Sequence, residues 1–139
     1  MFQHYYASFD GGEVIDTLED GRASCAFYVS SILTIFKAVK STHSTVGSVE
    51  QDMKDSGWLL VDAPEAGDVL IYEDITLPTE DEAVPHMGFY IGDEKAVSNS
   101  YTQCVPIVHD YKYRDFAERK IRTIYRGKHL MPDDIKEAK

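Results

Sequence analysis

Between residues 22 and 40 the apolar positions fall at three- and four-residue steps. Ala23, Ala26, Val29, Leu33 and Phe36, with Ile32 and Val39 beside them, draw one face of a helix. Asp20 suits its cap, and Lys37 and Lys40 suit its far end, where the dipole is negative. A second, shorter helix begins near Thr45 or Ser48. Ser48-Val49-Glu50-Gln51 has capping-box spacing, Val49 and Met53 share a face, and Gly57 can close the helix in a left-handed conformation. From Trp58 the period falls to two, and strands are expected at 58–62, 68–72, 86–91, 96–100, 105–111 and 120–125. Residues 73–85 form an acidic, proline-containing loop, a candidate cover for a cleft. Residues 1–21 read as irregular and turn-rich, and 127–139 as a polar tail. Helices first and short sequential strands after them predict an α+β fold, with N-terminal helices packed on an antiparallel meander of about five strands.

A length of 139 residues, 43% of them hydrophobic, suits a single domain (1–139, core 22–126) with a core that needs no staples. Apolar stretches such as 58–61 and 69–72 are strand-length and too short to span a bilayer. A net charge of −10 and a pI near 4.8 repel phosphate backbones, anionic membranes and polyanionic wall polymers, so neither nucleic acid nor membrane is expected as a partner. The opening Met1-Phe2-Gln3-His4-Tyr5-Tyr6 has no basic region leading into an apolar run, as a secretory leader would. The expectation is a cytoplasmic protein, or one exported or released by another route, as a phage-encoded enzyme would be. Oligomeric state has no signature in the chain.

Two well-separated cysteines, Cys25 and Cys104, without a C-x-x-C, support neither a metal cluster nor a disulfide framework; a single bridge between them is the formal alternative. His4, His43, His86, His109 and His129 have no short ligand spacing, so no metal and no cofactor are expected. Cys25 falls in the first turn of the first helix, within Ala23-Ser24-Cys25-Ala26-Phe27-Tyr28-Val29. There the free backbone N–H groups and the positive dipole end favour a thiolate and can hold an oxyanion. An isolated cysteine is also a small apolar core residue. His86 opens the strand Pro85-His86-Met87-Gly88-Phe89-Tyr90-Ile91-Gly92, where a histidine can be held rigidly beside a helix start.

These segments, in this order, resemble the NlpC/P60 branch of the papain-like cysteine peptidases, with the CHAP amidases as near relatives. Ser24-Cys25-Ala26-Phe27-Tyr28-Val29 is similar to the nucleophile motif, and Pro64-Glu65-Ala66-Gly67-Asp68-Val69-Leu70-Ile71 to the Gly-Asp strand entry. His86-Met87-Gly88-Phe89-Tyr90-Ile91-Gly92 is similar to the histidine strand, and 119–126 to the closing strand. The resemblance implies a papain-like domain in which Cys25 is the nucleophile and His86 the base. It implies a third polar residue on the next strand. A gapless match places Ser98 there; Asn99 is favoured because an amide oxygen accepts well from imidazole N–H, and His109 could reach in from the following strand. Two departures stand out. Ser24 occupies the place of an aspartate, and the upstream tyrosine that lines the oxyanion site can be matched only to Tyr5 or Tyr6. Asp68 reads as a turn and strand-start residue, and His43 as a solvated loop residue. By resemblance the substrate is a peptide or peptidoglycan fragment, cut by a stem-peptide endopeptidase or amidase. The alternatives are an intracellular hydrolase or transferase acting on another amide, thioester or isopeptide bond, and a non-catalytic binding module that keeps the fold.

Overall fold

A computed structural model describes residues 25–75, 85–100, 105–114 and 118–127, and the backbone of 6–8, 14–16, 76, 83 and 84. Helix α1 spans Cys25–Ile35, shorter at its C-terminal end than its apolar pattern suggests. The backbone explains the early stop. Ala38 N–H bonds Leu33 O at 2.8 Å and Lys37 N–H bonds Thr34 O at 3.0 Å, a Schellman closure with Lys37 at φ 57°. Helix α2 spans Val46–Asp55. Thr45 is its N-cap, its side chain accepting from the Ser48 N–H, and Gly57 closes it at φ 86° as its sequence requires.

Among the described residues, eight strands follow or precede the helices. Strands β1 (Tyr6–Ser8) and β2 (Val14–Asp16) make a small antiparallel pair inside the segment expected to be irregular. The other six, β3 (Leu59–Val61), β4 (Val69–Thr76), β5 (Ala83–Gly92), β6 (Lys95–Asn99), β7 (Pro106–Asp110) and β8 (Ile121–Arg126), form one antiparallel sheet in the order β3-β8-β4-β5-β6-β7. The α+β class is as expected, but the sheet is not a simple meander of about five strands. Only β4 to β7 run as neighbours in sequence; β8 returns to lie between β3 and β4. Strands β4 and β5 also run further than expected into the acidic segment, with a register shift between Tyr72 and Ile75. Residues 77–82 of that segment lie outside the described residues, as do 128–139 of the expected tail.

Alternation divides the sheet into two faces. On one, Val69, Ile71, Met87 and Tyr125 pack beneath both helices, with Ala26, Val29, Leu33, Val49, Met53 and Trp58. On the other, Leu70, Tyr72, Ala96 and Ile124 are covered by Tyr111 and Tyr113 from the turn after β7. Polar ties lock the edges. Asp68, fully buried, accepts Arg126 at 2.7 and 3.0 Å and the Glu65 N–H at 2.8 Å, the structural role its place in the turn suggests. His43 is no free loop residue: its Nε2 lies 2.7 Å from Asp52, whose carboxylate also accepts the N–H groups of Lys40 and Ser41. Among the described residues no helix is long and apolar enough to cross a membrane.

Candidate active site

The start of α1 meets the middle of β5, where His86 is the fourth residue of the strand and not its first, as the sequence suggested, because β5 begins at Ala83. Tyr90 N–H bonds Asp68 O, on the β4 side, so the N–H of every second residue from Tyr90 points that way and that of Met87 points towards β6. The β5–β6 ladder, however, runs only as far as Phe89 opposite Val97. Beyond that pair the Met87 N–H acts on the Cys25 sulphur, favouring its thiolate. The N–H groups of Ala26 and of Cys25 itself, free because they begin a helix, also point at the sulphur. The nucleophile candidate thus sits against the peptide that joins His86 to Met87. Cys25 is a free cysteine. Cys104 lies outside the described residues.

His86 stands directly across from Tyr72 on β4, 7% exposed, with the two rings 5.5 Å apart. Its Nε2 lies 3.1 Å from the Ser98 hydroxyl and 2.9 Å from the Tyr113 hydroxyl. Ser98, fully buried on β6, is also 2.9 Å from the Tyr113 hydroxyl and 2.7 Å from Nε2 of His109 on β7. Nδ1 of His109 bonds the Asp110 carbonyl at 2.7 Å, and its ring stacks on Tyr113 with centroids 4.0 Å apart. Gly88 makes the approach of Ser98 possible. A Cβ at that position would lie 2.8 Å from both the Ser98 Cβ and the Val97 carbonyl, inside contact distance.

Of the three third-residue candidates, one reaches the His86 ring. Ser98, the gapless match, touches the imidazole; Asn99, one position on, is buried on the alternate face of β6. His109 reaches Ser98 rather than His86. Tyr5 and Ser24 lie outside the described residues, and so does the side chain of Tyr6, so the oxyanion and cleft candidates have no counterpart in the geometry. Among the described residues no group of three His, Cys, Asp or Glu side chains could hold a metal.

Two further residues complete the cluster. Tyr113 adopts φ 57° in a turn built by Asp110, whose carboxylate accepts the N–H groups of Lys112 and Arg114 and the Arg114 guanidinium. Such a backbone at a functional cluster is a familiar location for local strain. The Asp-Tyr-Lys-Tyr-Arg run signals a turn, but nothing in its pattern says that Tyr113 folds back to His86. Arg119 is fixed by its N–H to Lys112 O at 2.8 Å, with its guanidinium 6.0 Å from the centre of the Tyr72 ring. Its charge acts on Cys25, His86 and Tyr113 alike.

Burial dominates the electrostatics. It pushes the Cys25 thiol up, against the opposing pull of the Met87 and Ala26 N–H groups and the Arg119 charge. Burial, with Arg119 and His109 adding to it, pushes His86 down to about 3. The helix start alone predicts a resting thiolate; in this setting the resting pair is a neutral thiol and a neutral imidazole. His109 is also pushed down by burial, opposed by Asp110. No protein-family model matches the chain, and no curated protein matches it.

Proposed function

We propose that this chain is a cysteine-dependent acyl-transfer enzyme that hydrolyses an amide bond, with the papain-like arrangement its sequence resembles. The observation that carries this reading is His86 Nε2 held by Ser98 and Tyr113, on the strand whose next residue, Met87, turns an N–H that favours the Cys25 thiolate. In this reading Cys25 is the nucleophile, His86 its general base, and Ser98 the residue that orients the imidazole. With both partners neutral at rest, Nδ1 of His86 takes the thiol proton as the sulphur attacks the carbonyl carbon. The carbonyl oxygen becomes an oxyanion within reach of the N–H groups at the start of α1. The imidazolium returns the proton to the leaving amine, the C–N bond breaks, and a thioester remains on Cys25. Water, deprotonated by His86, then attacks the thioester and frees the acid and the thiol.

The substrate class follows from the resemblance: a peptide or a peptidoglycan stem peptide cut between residues. Incubation with purified muropeptides, read by mass, tests it. Cleavage that disappears in Cys25→Ser supports the wall substrate. Intact muropeptides beside an enzyme whose Cys25 still accepts acyl groups would move the reading to another amide, thioester or isopeptide bond.

A further inference from the structure

We infer that His109 is a positioning residue which, through the Ser98 hydroxyl, fixes the tautomer of His86 that leaves Nδ1 bare to act as base. The inference rests on the proposed role of His86 and follows from counting protons along one chain of contacts.

A carbonyl oxygen only accepts, so the 2.7 Å contact between the Asp110 carbonyl and His109 Nδ1 places a proton on Nδ1. Neutral His109 then has a lone pair at Nε2, and the 2.7 Å contact to Ser98 must be donated by the Ser98 hydroxyl. That uses the only proton Ser98 has. Its oxygen can now only accept, and it has two neighbours, the Tyr113 hydroxyl at 2.9 Å and His86 Nε2 at 3.1 Å. Tyr113 therefore donates to Ser98, and His86 donates to Ser98 from a protonated Nε2. The remaining contact, His86 Nε2 to the Tyr113 oxygen at 2.9 Å, shares the same imidazole proton. One proton arrangement satisfies every contact in the cluster. It puts the His86 hydrogen on Nε2 and leaves the Nδ1 lone pair free to receive the thiol proton.

The alternative tautomer, with the hydrogen on Nδ1, cannot act as base at that nitrogen. It would also set the bare Nε2 lone pair against a Ser98 oxygen whose proton is already committed. The backbone carbonyl of Asp110 thus reaches His86 through two side chains, and the acceptor nitrogen of His109 is the link that commits Ser98. A ring nitrogen whose protonation is set by the bond its partner nitrogen makes is a general feature of histidine sites. Here the setting is passed on from one histidine to another.

Long-range nitrogen–proton NMR of the full chain at pH 7 reads both tautomers directly. The expected result is His86 protonated on Nε2 and His109 protonated on Nδ1. His109→Leu removes the acceptor, so His86 should become a mixture of tautomers, and acylation of Cys25 by p-nitrophenyl acetate should slow on the order of tenfold or more. His109→Gln, whose amide oxygen can accept from Ser98, should restore the Nε2–H form and most of the rate. A wild-type His86 protonated on Nδ1, or a tautomer unmoved by His109→Leu, would overturn the inference. The tautomer readout does not depend on turnover: a wild-type Cys25 that takes no acyl group would sink the hydrolase reading while leaving the proton arrangement to be judged on its own.

Discussion

Gly88 has no side chain, and that absence lets Ser98 come close enough to hold His86. The glycine of the histidine strand therefore has a physical reason. Gly88→Ala would drive a methyl group into Ser98 and the Val97 carbonyl, with a cost of about 1–3 kcal/mol of overpacking. The expected outcome is a lower urea midpoint and a slower acylation of Cys25, whereas the exposed Gly47, with open space around it, should accept alanine without loss. Arg119 makes a second residue-scale prediction. Its positive charge favours the thiolate, so Arg119→Met should push the Cys25 thiol further up and slow iodoacetamide alkylation at pH 7 by roughly threefold or more. Arg119→Lys should recover most of that loss, and peptide mass mapping would separate Cys25 from Cys104. The place of Cys25 at a helix start was legible in the sequence because helix starts are local features, whereas His86 falls inside β5 and not at its start. The choice between Ser98 and Asn99 was not, because neighbouring residues on a strand face opposite sides and only the pairing with Gly88 says which side holds the imidazole.

Helix ends and loop ties govern the elements that carry the site. Lys37 occupies the left-handed position of a Schellman closure, where a side chain costs about 1 kcal/mol. Lys37→Gly should therefore raise stability by roughly 0.5–1 kcal/mol in a denaturant titration, the opposite of the usual effect of glycine near a helix. The connection between α1 and α2 is held by Asp52. Burial works against its ionisation, but the Lys40 N–H, His43, the Ser41 N–H and Ser56 outweigh it and bring the carboxyl down from 3.8 to about 2. A carboxyl held below its unfolded value contributes stability that is complete above pH 3.8 and is lost as the pH falls through about 2. The gap in urea midpoint between wild type and Asp52→Asn should accordingly be wide at pH 6 and close as the pH approaches 2. Gly57 was readable as the end of α2 because capping is local chemistry, but its start was open between Thr45 and Ser48, and the cap falls on Thr45 rather than on the capping-box spacing at Ser48. The early end of α1 was not, since Phe36 continues the apolar pattern yet is largely exposed in the turn.

At the scale of the molecule, the class of fold follows from the switch in period at Trp58, but the order of the sheet does not. Period and turn residues mark each strand; they carry no information on which strand it joins, and the insertion of β8 between β3 and β4 is a long-range choice. That insertion has a consequence for the site, because the segment leading into β8 brings Arg119 beside Tyr72 and into the field of Cys25. The cluster is thus assembled from distant parts of the chain: the candidate nucleophile from the first helix, the imidazole and its supports from β5, β6 and the turn after β7, and the cation from the approach to the last strand. The chain carries a net charge of −10, so a neutral or cationic acyl donor should react more readily than an anionic one, and salt should narrow the difference.

The central claim is that His86 activates Cys25 for attack on an acyl carbon. It is tested most directly by mixing the full chain with p-nitrophenyl acetate, following nitrophenolate release and locating the acetyl group by peptide mass. The expected product is an acetyl thioester on Cys25, formed on the order of 10²–10⁴ times faster in wild type than in His86→Ala, and absent from that position in Cys25→Ala. Acetylation of Cys25 at the same rate with and without His86 would contradict it.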